Sequence, residues 1–564
     1  MDNPGLSEHP GPLMALLLFT LVSLGLGVVA NLMTRGKAGF LRKYFLGNRS
    51  LGAFAVALTA AVMSGGTFMG FPSLVYSFGW VVGLWIASYM VAPLTVLGVL
   101  GKRIGQLSRR TGAITLPDLF RERYGSPALG LLTSILIMFF LTVNLIPQFK
   151  AGALIMKIVL PSSASSWFVA QGVAGSTDVG YLIGLAIFTT TVVAYTAYGG
   201  FLAAIWTDVF QSLIMAFGIL ILFPLAMAAS GGLSHATLTG MEQAGNGFAF
   251  GPGAGRDFHP IGLAISFFVM WAITGMGQPS TMVRLMAFRD SRTLRYSILY
   301  LTLYNALIYI PLIFIFVAAR SILPGLTESD EIMPRLVIKL ANPYVAGLIL
   351  AAPYGAVMST VSGFLLIVAS GLVRDVYQRF LRPTASEREV QWASYVATVG
   401  VGLIVALIAT HPPNYLQLVV VFAGSGMAAA FLMPAFLGAF WRRSTAKGAI
   451  AGMTAGTVAT LGLYVLGSFG PEHLGLAWLF PPNPDIGAVS AFRPYYLFRL
   501  DPAVWGLVSS FTAMVIGSYL SSPPDPARVS LLFDAQPPDA PAPATLELHP
   551  ELGDKIIPHA PEAE

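Results

Sequence analysis

The chain of 564 residues contains no cysteine, so disulfides, thiolate metal sites and a cysteine nucleophile are excluded. Histidine is scarce, and the seven histidines form neither an HExxH motif nor a pair four residues apart. They therefore indicate no metal site. The chain also lacks a Walker A sequence, which excludes an ATP-driven pump unless a partner supplies the nucleotide site. We predict that the chain is not an enzyme and binds no organic cofactor.

Charge is sparse as well: only 10% of the residues are Asp, Glu, Lys or Arg, and 55% are hydrophobic. This balance excludes an ordinary soluble protein. The net charge of +6 does not indicate nucleic-acid binding, because the basic residues lie in short clusters between apolar runs. We predict an all-α polytopic membrane protein of the plasma membrane, namely the bacterial inner membrane, with the lipid bilayer as its surroundings.

The apolar runs are long enough to cross a bilayer, which takes about 20 residues per helix. We predict about thirteen transmembrane helices: 12–32, 52–77, 79–100, 127–158, 179–198, 203–229, 260–283, 296–319, 344–372, 391–410, 414–440, 446–468 and 503–521.

The positions of Lys and Arg orient these spans. With the N-terminus outside, 24 of the 32 basic residues lie in inside segments and 6 in outside segments. Lys150 and Lys157 remain, both within one span. Because basic loops stay on the cytoplasmic side, we predict that the N-terminus is outside and the C-terminus inside.

Two of the apolar runs are interrupted by glycine and proline. Residues 57–72 read ALTAAVMSGGTFMGFP, and residues 272–279 read AITGMGQP. A break at mid-membrane frees backbone carbonyls that lipid cannot satisfy, so it has to line a polar cavity or be buried in protein. Paired breaks in two halves of a polytopic protein indicate the binding site of a transporter.

These breaks suggest a division of the chain. Residues 35–441 form the core, with a first repeat at about 52–229 and a second at about 260–440. Each repeat has five spans, so the two run in opposite senses across the membrane. Residues 1–34 add an N-terminal helix, residues 442–521 add two helices with an external loop, and the Pro- and Ala-rich residues 522–564 are predicted to form a disordered cytoplasmic tail.

The ninth span carries neighbouring hydroxyls. Ala356, Ser359 and Thr360 share one helical face. Two hydroxyls beside the carbonyls of a broken helix make an oxygen cage suited to a hard cation. The alternative is that both hydroxyls bond to their own helix or allow close helix packing.

Four motifs resemble the sodium/solute symporter family, which includes pantothenate, proline, acetate and sugar symporters. They are the first break at 57–72, YTAYGGFLAAIWTDVFQ at 195–211, GQPSTMVRLMAFRD at 277–290 and AVMSTVSGFLLIVASGLVRDVY at 356–377.

The resemblance implies a LeuT-like five-plus-five inverted-repeat core with Na⁺ as the co-transported ion. It implies that Na⁺ is bound by Ala60, Met63, Ala356, Ser359 and Thr360. Asp208 matches an acid on the sodium exit path; the alternative is a helix-end acid paired with basic loop residues. Some relatives carry an acid where this chain has Val62, which weakens the case for a second cation site.

Lys150 lies near mid-membrane, two residues after Gln148. A basic side chain there is costly, so it should face a cavity or a partner. At a substrate pocket it would pair with a carboxylate; the alternative is that it snorkels or neutralises an internal acid. The breaks and nearby polar positions complete the predicted substrate site: Ser64, Gly65, Thr67, Gln148, Lys150, Trp271, Thr274, Gln278 and Gln417.

We therefore predict a sodium-coupled secondary symporter that imports a small organic solute by alternating access. Lys150 favours an organic acid, such as a monocarboxylate or a pantothenate-like acid. The alternatives are a proline-like amino acid or a neutral solute and, in other classes, a membrane sensor with a transporter fold or a channel.

Overall fold

The structure, a computed structural model, describes residues 9–34, 57–58, 63–161, 178–251, 260–288, 290–412, 414–484, 486 and 490–534. In these ranges the regular secondary structure is helical. The helices are α1 (Gly11–Thr34), α2 (Phe71–Phe78), α3 (Gly83–Pro93), α4 (Lys102–Thr111), α5 (Leu116–Tyr124), α6 (Pro127–Val159), α7 (Val179–Ala229), α8 (Leu233–Ala244), α9 (Ile261–Ile273), α10 (Pro279–Ala287), α11 (Ser291–Ile322), α12 (Ile332–Leu340), α13 (Pro343–Ser370), α14 (Glu387–Ile408), α15 (Leu416–Phe440), α16 (Ala446–Phe469), α17 (Pro502–Tyr519) and α18 (Pro526–Phe533).

Among the described residues, ten helices are long and apolar enough to cross a membrane, or eleven if α9 and α10 count as one bent span. The sequence predicts thirteen. The end of the predicted span 52–77 and all of 79–100 lie in the 46-residue stretch Gly66–Thr111, which counts once. The last predicted span corresponds to α17, which is not among the ten. The all-α fold is confirmed, whereas the count of thirteen and the orientation of the termini stay predictions.

The first predicted break is present at residues 63–66. Met63 and Ser64 are not helical, and a π-helical turn, Gly66–Gly70, leads into α2. Residues 59–62 lie outside the described part of the chain. Helix α2 ends before Gly79, whose φ of 72° suits glycine, and a Cβ there would clash with the carbonyl oxygen of Phe248.

The second break separates α9 from α10. A 3₁₀ turn, Thr274–Gly277, is followed by the extended residue Gln278, and the helices on either side differ in direction by 51°. Pro279 occupies the first position of α10, where its missing N–H costs no hydrogen bond.

Helices α13 and α15 lie at the centre of the bundle. In their most apolar windows, 78% and 94% of the residues are buried. Helix α13 packs against α1, α6 and α7, and α15 packs against α6, α16 and the 3₁₀ turn of the second break. The least exposed part of the molecule therefore holds Gln417 of α15 and the predicted sodium ligands of α13. These ligands, here named the sodium motif, are Ala356, Ser359 and Thr360.

The predicted disorder of 522–564 is wrong for residues 522–534. Asp525 caps α18, and Leu532 is buried. The ring of Phe533 lies 5.0 Å from the guanidinium of Arg103 and 5.1 Å from that of Arg123. Apolar and cation–π contacts thus anchor this segment despite its composition. Residues 535–564 lie outside the described residues.

Candidate functional site

A central cavity of about 870 Å³ lies where the two broken helices meet α3, α6, α11, α13 and α15. It brings together six of the nine predicted substrate residues: Ser64, Thr67, Trp271, Thr274, Gln278 and Gln417. Sequence reasoning did not place Tyr89, Asn144, Thr281 and Asn305 there, although each is a polar residue in an apolar run.

The wall of this cavity is polar but uncharged, since none of the described residues that line it is Asp, Glu, Lys or Arg. Three buried atoms of the wall have no hydrogen-bond partner: Gln417 Oε1, Trp271 Nε1 and Asn305 Oδ1. A buried polar atom without a partner is costly, so these atoms are suited to bind a polar ligand.

The first break is held open by specific hydrogen bonds. Gly65 N donates to Gln148 Oε1 (2.7 Å), and Gly66 N donates to Ser64 Oγ (3.1 Å). The Thr67 hydroxyl lies 3.1 Å from the Tyr309 hydroxyl. Gln148 and Gly65 do not line the cavity, so the amide of Gln148 supports the broken backbone from behind.

Aromatic rings form one side of the cavity. Tyr89 stacks on Tyr309 with ring centroids 4.0 Å apart, and on Trp271 with centroids 5.4 Å apart. The carbonyl of Tyr89 accepts a hydrogen bond of 2.9 Å from Asn305 Nδ2. These contacts fix Trp271 and Asn305, which both carry an unpartnered atom.

Three of the five predicted sodium ligands converge. Thr360 Oγ1 lies 2.9 Å from the carbonyl oxygen of Met63 and 3.0 Å from that of Ala356. Ser359 lines a cavity of about 380 Å³ together with Met63 and Thr360, here named the middle cavity. Neutral carbonyl and hydroxyl oxygens are hard ligands that suit Na⁺. Ala60 lies outside the described residues.

Comparison with known proteins identifies this arrangement. The family model for the sodium:solute symporter family matches residues 44–456, well over half of the chain. The chain belongs to the sodium:solute symporter family. The resemblance read from the four motifs is therefore confirmed, and the chain is a sodium-coupled symporter of a small organic solute.

Relatives with known substrates cover most of the chain. A sodium/pantothenate symporter of Haemophilus influenzae is 32% identical over 81% of this chain and 90% of its own length. The sodium/pantothenate symporter of Escherichia coli is 32% identical over 83% of this chain and 93% of its own length. A sodium/proline symporter of Haemophilus influenzae is 31% identical over 79% of this chain and 87% of its own length.

A solved structure shares the fold. The substrate-bound outward-open state of a Na⁺-coupled sialic acid symporter has a TM-score of 0.66 at 18% identity. The match covers 91% of this chain and 98% of that chain.

In this symporter the predicted exit residue Asp208 lies beyond the middle cavity. It is buried, its Oδ2 lies 3.7 Å from Arg284 Nη2, and its carboxylate is close to the Ser359 side chain. Asp208 and Arg284 line an inner cavity of about 820 Å³. Asp208 thus has a basic partner, as the alternative supposes, and also faces a cavity, as the exit path requires.

The three cavities form a row with shared walls. Thr360 and Phe364 line both the central and the middle cavity. Ser280, Arg284 and Gly363 line both the middle and the inner cavity. The sodium motif therefore lies between the predicted substrate site and Asp208.

Lys150 does not line the central cavity. Its Nζ forms a salt bridge of 2.7 Å with Asp330 Oδ2, and both side chains are buried. Asp330 lies 180 residues further along the chain, between α11 and α12. It is outside the predicted spans, so the hydrophobic pattern does not indicate that it pairs with Lys150. The structure thus shows the arrangement that the sequence left as an alternative, in which Lys150 neutralises an internal acid.

Proposed function

We propose that this symporter imports a small solute that carries a carboxylate, bound in the central cavity, with Na⁺ bound by Met63, Ala356, Ser359, Thr360 and Ala60. The observation that carries the proposal is that one residue, Thr360, lines both the central and the middle cavity. Solute and ion would therefore occupy adjoining spaces around the same helix.

The relatives support a carboxylate. Pantothenate and proline, the solutes named for the relatives, each contain one. Because the cavity wall carries no basic side chain among its described residues, we assign carboxylate recognition to neutral donors rather than to Lys150. The helix starts at Gly66 and Pro279 are suited to this role, because a helix N-terminus favours negative charge.

Coupling between Na⁺ and the solute would follow from the wall that the central and middle cavities share. Na⁺ bound between α13 and the first break would fix the backbone on which Ser64 and Thr67 depend. The solute would then meet an ordered site. Such a coupling is typically worth about 1–3 kcal/mol, and it acts equally from solute to ion.

The test is uptake into proteoliposomes with and without an inward sodium gradient. Labelled pantothenate and proline are each paired with a competitor that lacks the carboxylate, panthenol and prolinamide. We expect sodium-dependent accumulation of one acid and weak competition by its analogue without the carboxylate. Equal competition by that analogue would contradict carboxylate recognition.

A neutral solute is the second candidate, and the uncharged cavity wall favours it. A labelled hexose in the same assay tests this candidate. Sodium-driven uptake of the hexose, with neither acid accumulated, would support it.

We propose thirteen membrane crossings in the bacterial inner membrane, with the N-terminus outside and the C-terminus inside. A stretch of 46 residues, Gly66–Thr111, would be about 69 Å long as one straight helix, twice the thickness of a bilayer core. It is therefore suited to two crossings that meet near Gly79.

The absence of cysteine makes this topology easy to test. The exposed residues His473 and Thr384 would lie outside and inside, respectively. We expect a membrane-impermeant maleimide to label His473→Cys in intact cells and Thr384→Cys only after permeabilisation. Labelling of both in intact cells would refute the topology.

A further inference from the structure

The connector between α11 and α13, residues 323–342, is bonded to the helix that follows the first break. The Ser329 hydroxyl lies 2.6 Å from the Ser73 hydroxyl. The Tyr76 hydroxyl donates a hydrogen bond of 2.6 Å to the carbonyl of Leu323. The connector is thus attached to one of the two broken helices that form the central cavity.

Asp330 is a buried acid of this connector. Only 4% of it is exposed. Its Oδ2 accepts a hydrogen bond of 2.7 Å from Lys150 Nζ of α6 and one of 3.1 Å from the backbone N–H of Leu416. One carboxylate oxygen therefore joins the connector, α6 and the start of α15.

The start of α15 needs this contact. Its N-cap residue, Tyr415, has a φ of 53° and provides no side-chain cap. A tyrosine in the left-handed region is strained, and the first N–H groups of a helix have no partner within the helix. Asp330 supplies the cap from another segment, and its negative charge suits the positive end of the helix.

The residue after Leu416 is Gln417, which lines the central cavity. Gln417 also lies against the first break, since a Cβ added at Gly70 would come within 2.5 Å of Gln417 Oε1. The direction of the first turn of α15 therefore decides where the Gln417 amide lies in the cavity.

We propose that Asp330, oriented by Lys150, is a positioning residue for solute binding. Its carboxylate caps Leu416 and so holds Gln417 in place, while Lys150 balances the buried charge. The inference rests on the proposed role of the central cavity. It assigns Lys150 a role through Asp330 and α15, in place of direct contact with the solute.

Two double variants distinguish the effect of losing the buried charges from the effect of losing the hydrogen bond that caps α15. Lys150→Met with Asp330→Asn removes both charges but keeps an amide oxygen that can accept from Leu416. Lys150→Met with Asp330→Leu removes the charges and the cap at similar volume. We expect the first variant to keep a KM within about twofold of the wild type, whereas the second raises KM about tenfold, roughly the effect of one hydrogen bond.

One further readout and one control variant distinguish positioning from general stability. Amide hydrogen exchange in the peptide that contains Leu416 should accelerate only in the variant without the cap. The variant Lys157→Met with Glu331→Gln is the matched control, because it neutralises a neighbouring pair of 2.7 Å between the same helix and connector. It should leave KM unchanged.

The outcomes are distinct. If Lys150 binds the solute directly, both double variants will lose affinity equally, which overturns the inference. If the variant without the cap keeps a wild-type KM and slow exchange while Gln417→Ala raises KM, only the positioning role fails. If Gln417→Ala itself leaves KM unchanged, the proposed role of the central cavity fails.

Discussion

The hydroxyl of Thr360 lies 2.9 Å from the carbonyl oxygen of Met63, across the gap between α13 and the first break. The same hydroxyl lies 3.0 Å from the Ala356 carbonyl of its own helix. A hydroxyl donates only one hydrogen, so the two carbonyls compete for it. Three oxygens gathered in this way are a natural setting for a small cation.

The first prediction concerns this cluster. Ser359→Ala combined with Thr360→Val removes two oxygens at nearly constant volume. We expect the sodium concentration for half-maximal uptake to rise at least about tenfold. This corresponds to a loss of about 1.4 kcal/mol of ion-binding free energy when the oxygen ligands are removed. Uptake measured over a sodium series checks this.

The matched control for that prediction is Ser394→Ala in α14, because the Ser394 hydroxyl is also buried and bonds to its own helix, at 2.8 Å from the Val390 carbonyl. It should leave the sodium dependence unchanged. An unaltered sodium dependence in the double variant would remove this ion site.

The second prediction concerns the cavity wall. Trp271→Phe keeps the stacking against Tyr89 but removes an indole N–H that has no protein partner. We expect KM for the solute to rise several-fold with little change in thermal stability, since about 1 kcal/mol of ligand hydrogen bonding is lost. Solute titrations and a melting curve measure both. Trp392→Phe, at an exposed site, is the control.

Sequence reasoning located this wall because its signals are local. The glycine and proline interruptions predicted Ser64, Thr67, Thr274 and Gln278, which line the cavity. Gln417 was evident as an amide in an apolar run. Asn305 and Tyr89 were missed, because only tertiary packing shows which polar residues of a span face the breaks.

The partner of Lys150 could not be predicted for a related reason. Asp330 lies in a connector, and nothing local indicates that this connector folds inward. The tail was misjudged because its composition suggests disorder, whereas the anchoring of Phe533 depends on Arg103 and Arg123, more than 400 residues earlier.

The third prediction concerns release of the ion. Asp208→Asn removes the carboxylate that faces the inner cavity but leaves the oxygens of Met63, Ala356 and Thr360 in place. We expect the maximal rate of uptake to fall at least severalfold while equilibrium sodium binding stays within about twofold. Asp208→Asn with Arg284→Met keeps the buried charges balanced and shows whether instability contributes. A raised sodium dissociation constant would place Asp208 at the ion site itself.

The fourth prediction concerns pH. Asp501 precedes α17 outside the candidate spans, and burial raises its pKa to about 6. Ala503 N–H and the Ser425 hydroxyl donate to its Oδ1, and no basic group contacts it among the described residues. Because the pKa of the folded form lies above that of the unfolded form, stability contributed by this group falls as pH rises from about 4 to 6.

Asp501→Asn abolishes this titration. We expect it to stabilise the protein at pH 7.5 by up to about 3 kcal/mol, the equivalent of two pKa units, and to have almost no effect at pH 4. Melting temperatures in detergent at both pH values measure the difference. A stabilisation that is the same at both pH values would show that burial of the charge is not its cause.

The row of three cavities also predicts an order of events. The proposed ion site adjoins the inner cavity, and the proposed solute site lies one cavity further away. With the predicted orientation, we expect Na⁺ to leave toward the cytoplasm before the solute does. Cytosolic Na⁺ that re-enters would hold the solute back, so the protein would slow its own import whenever the cell loses its sodium gradient.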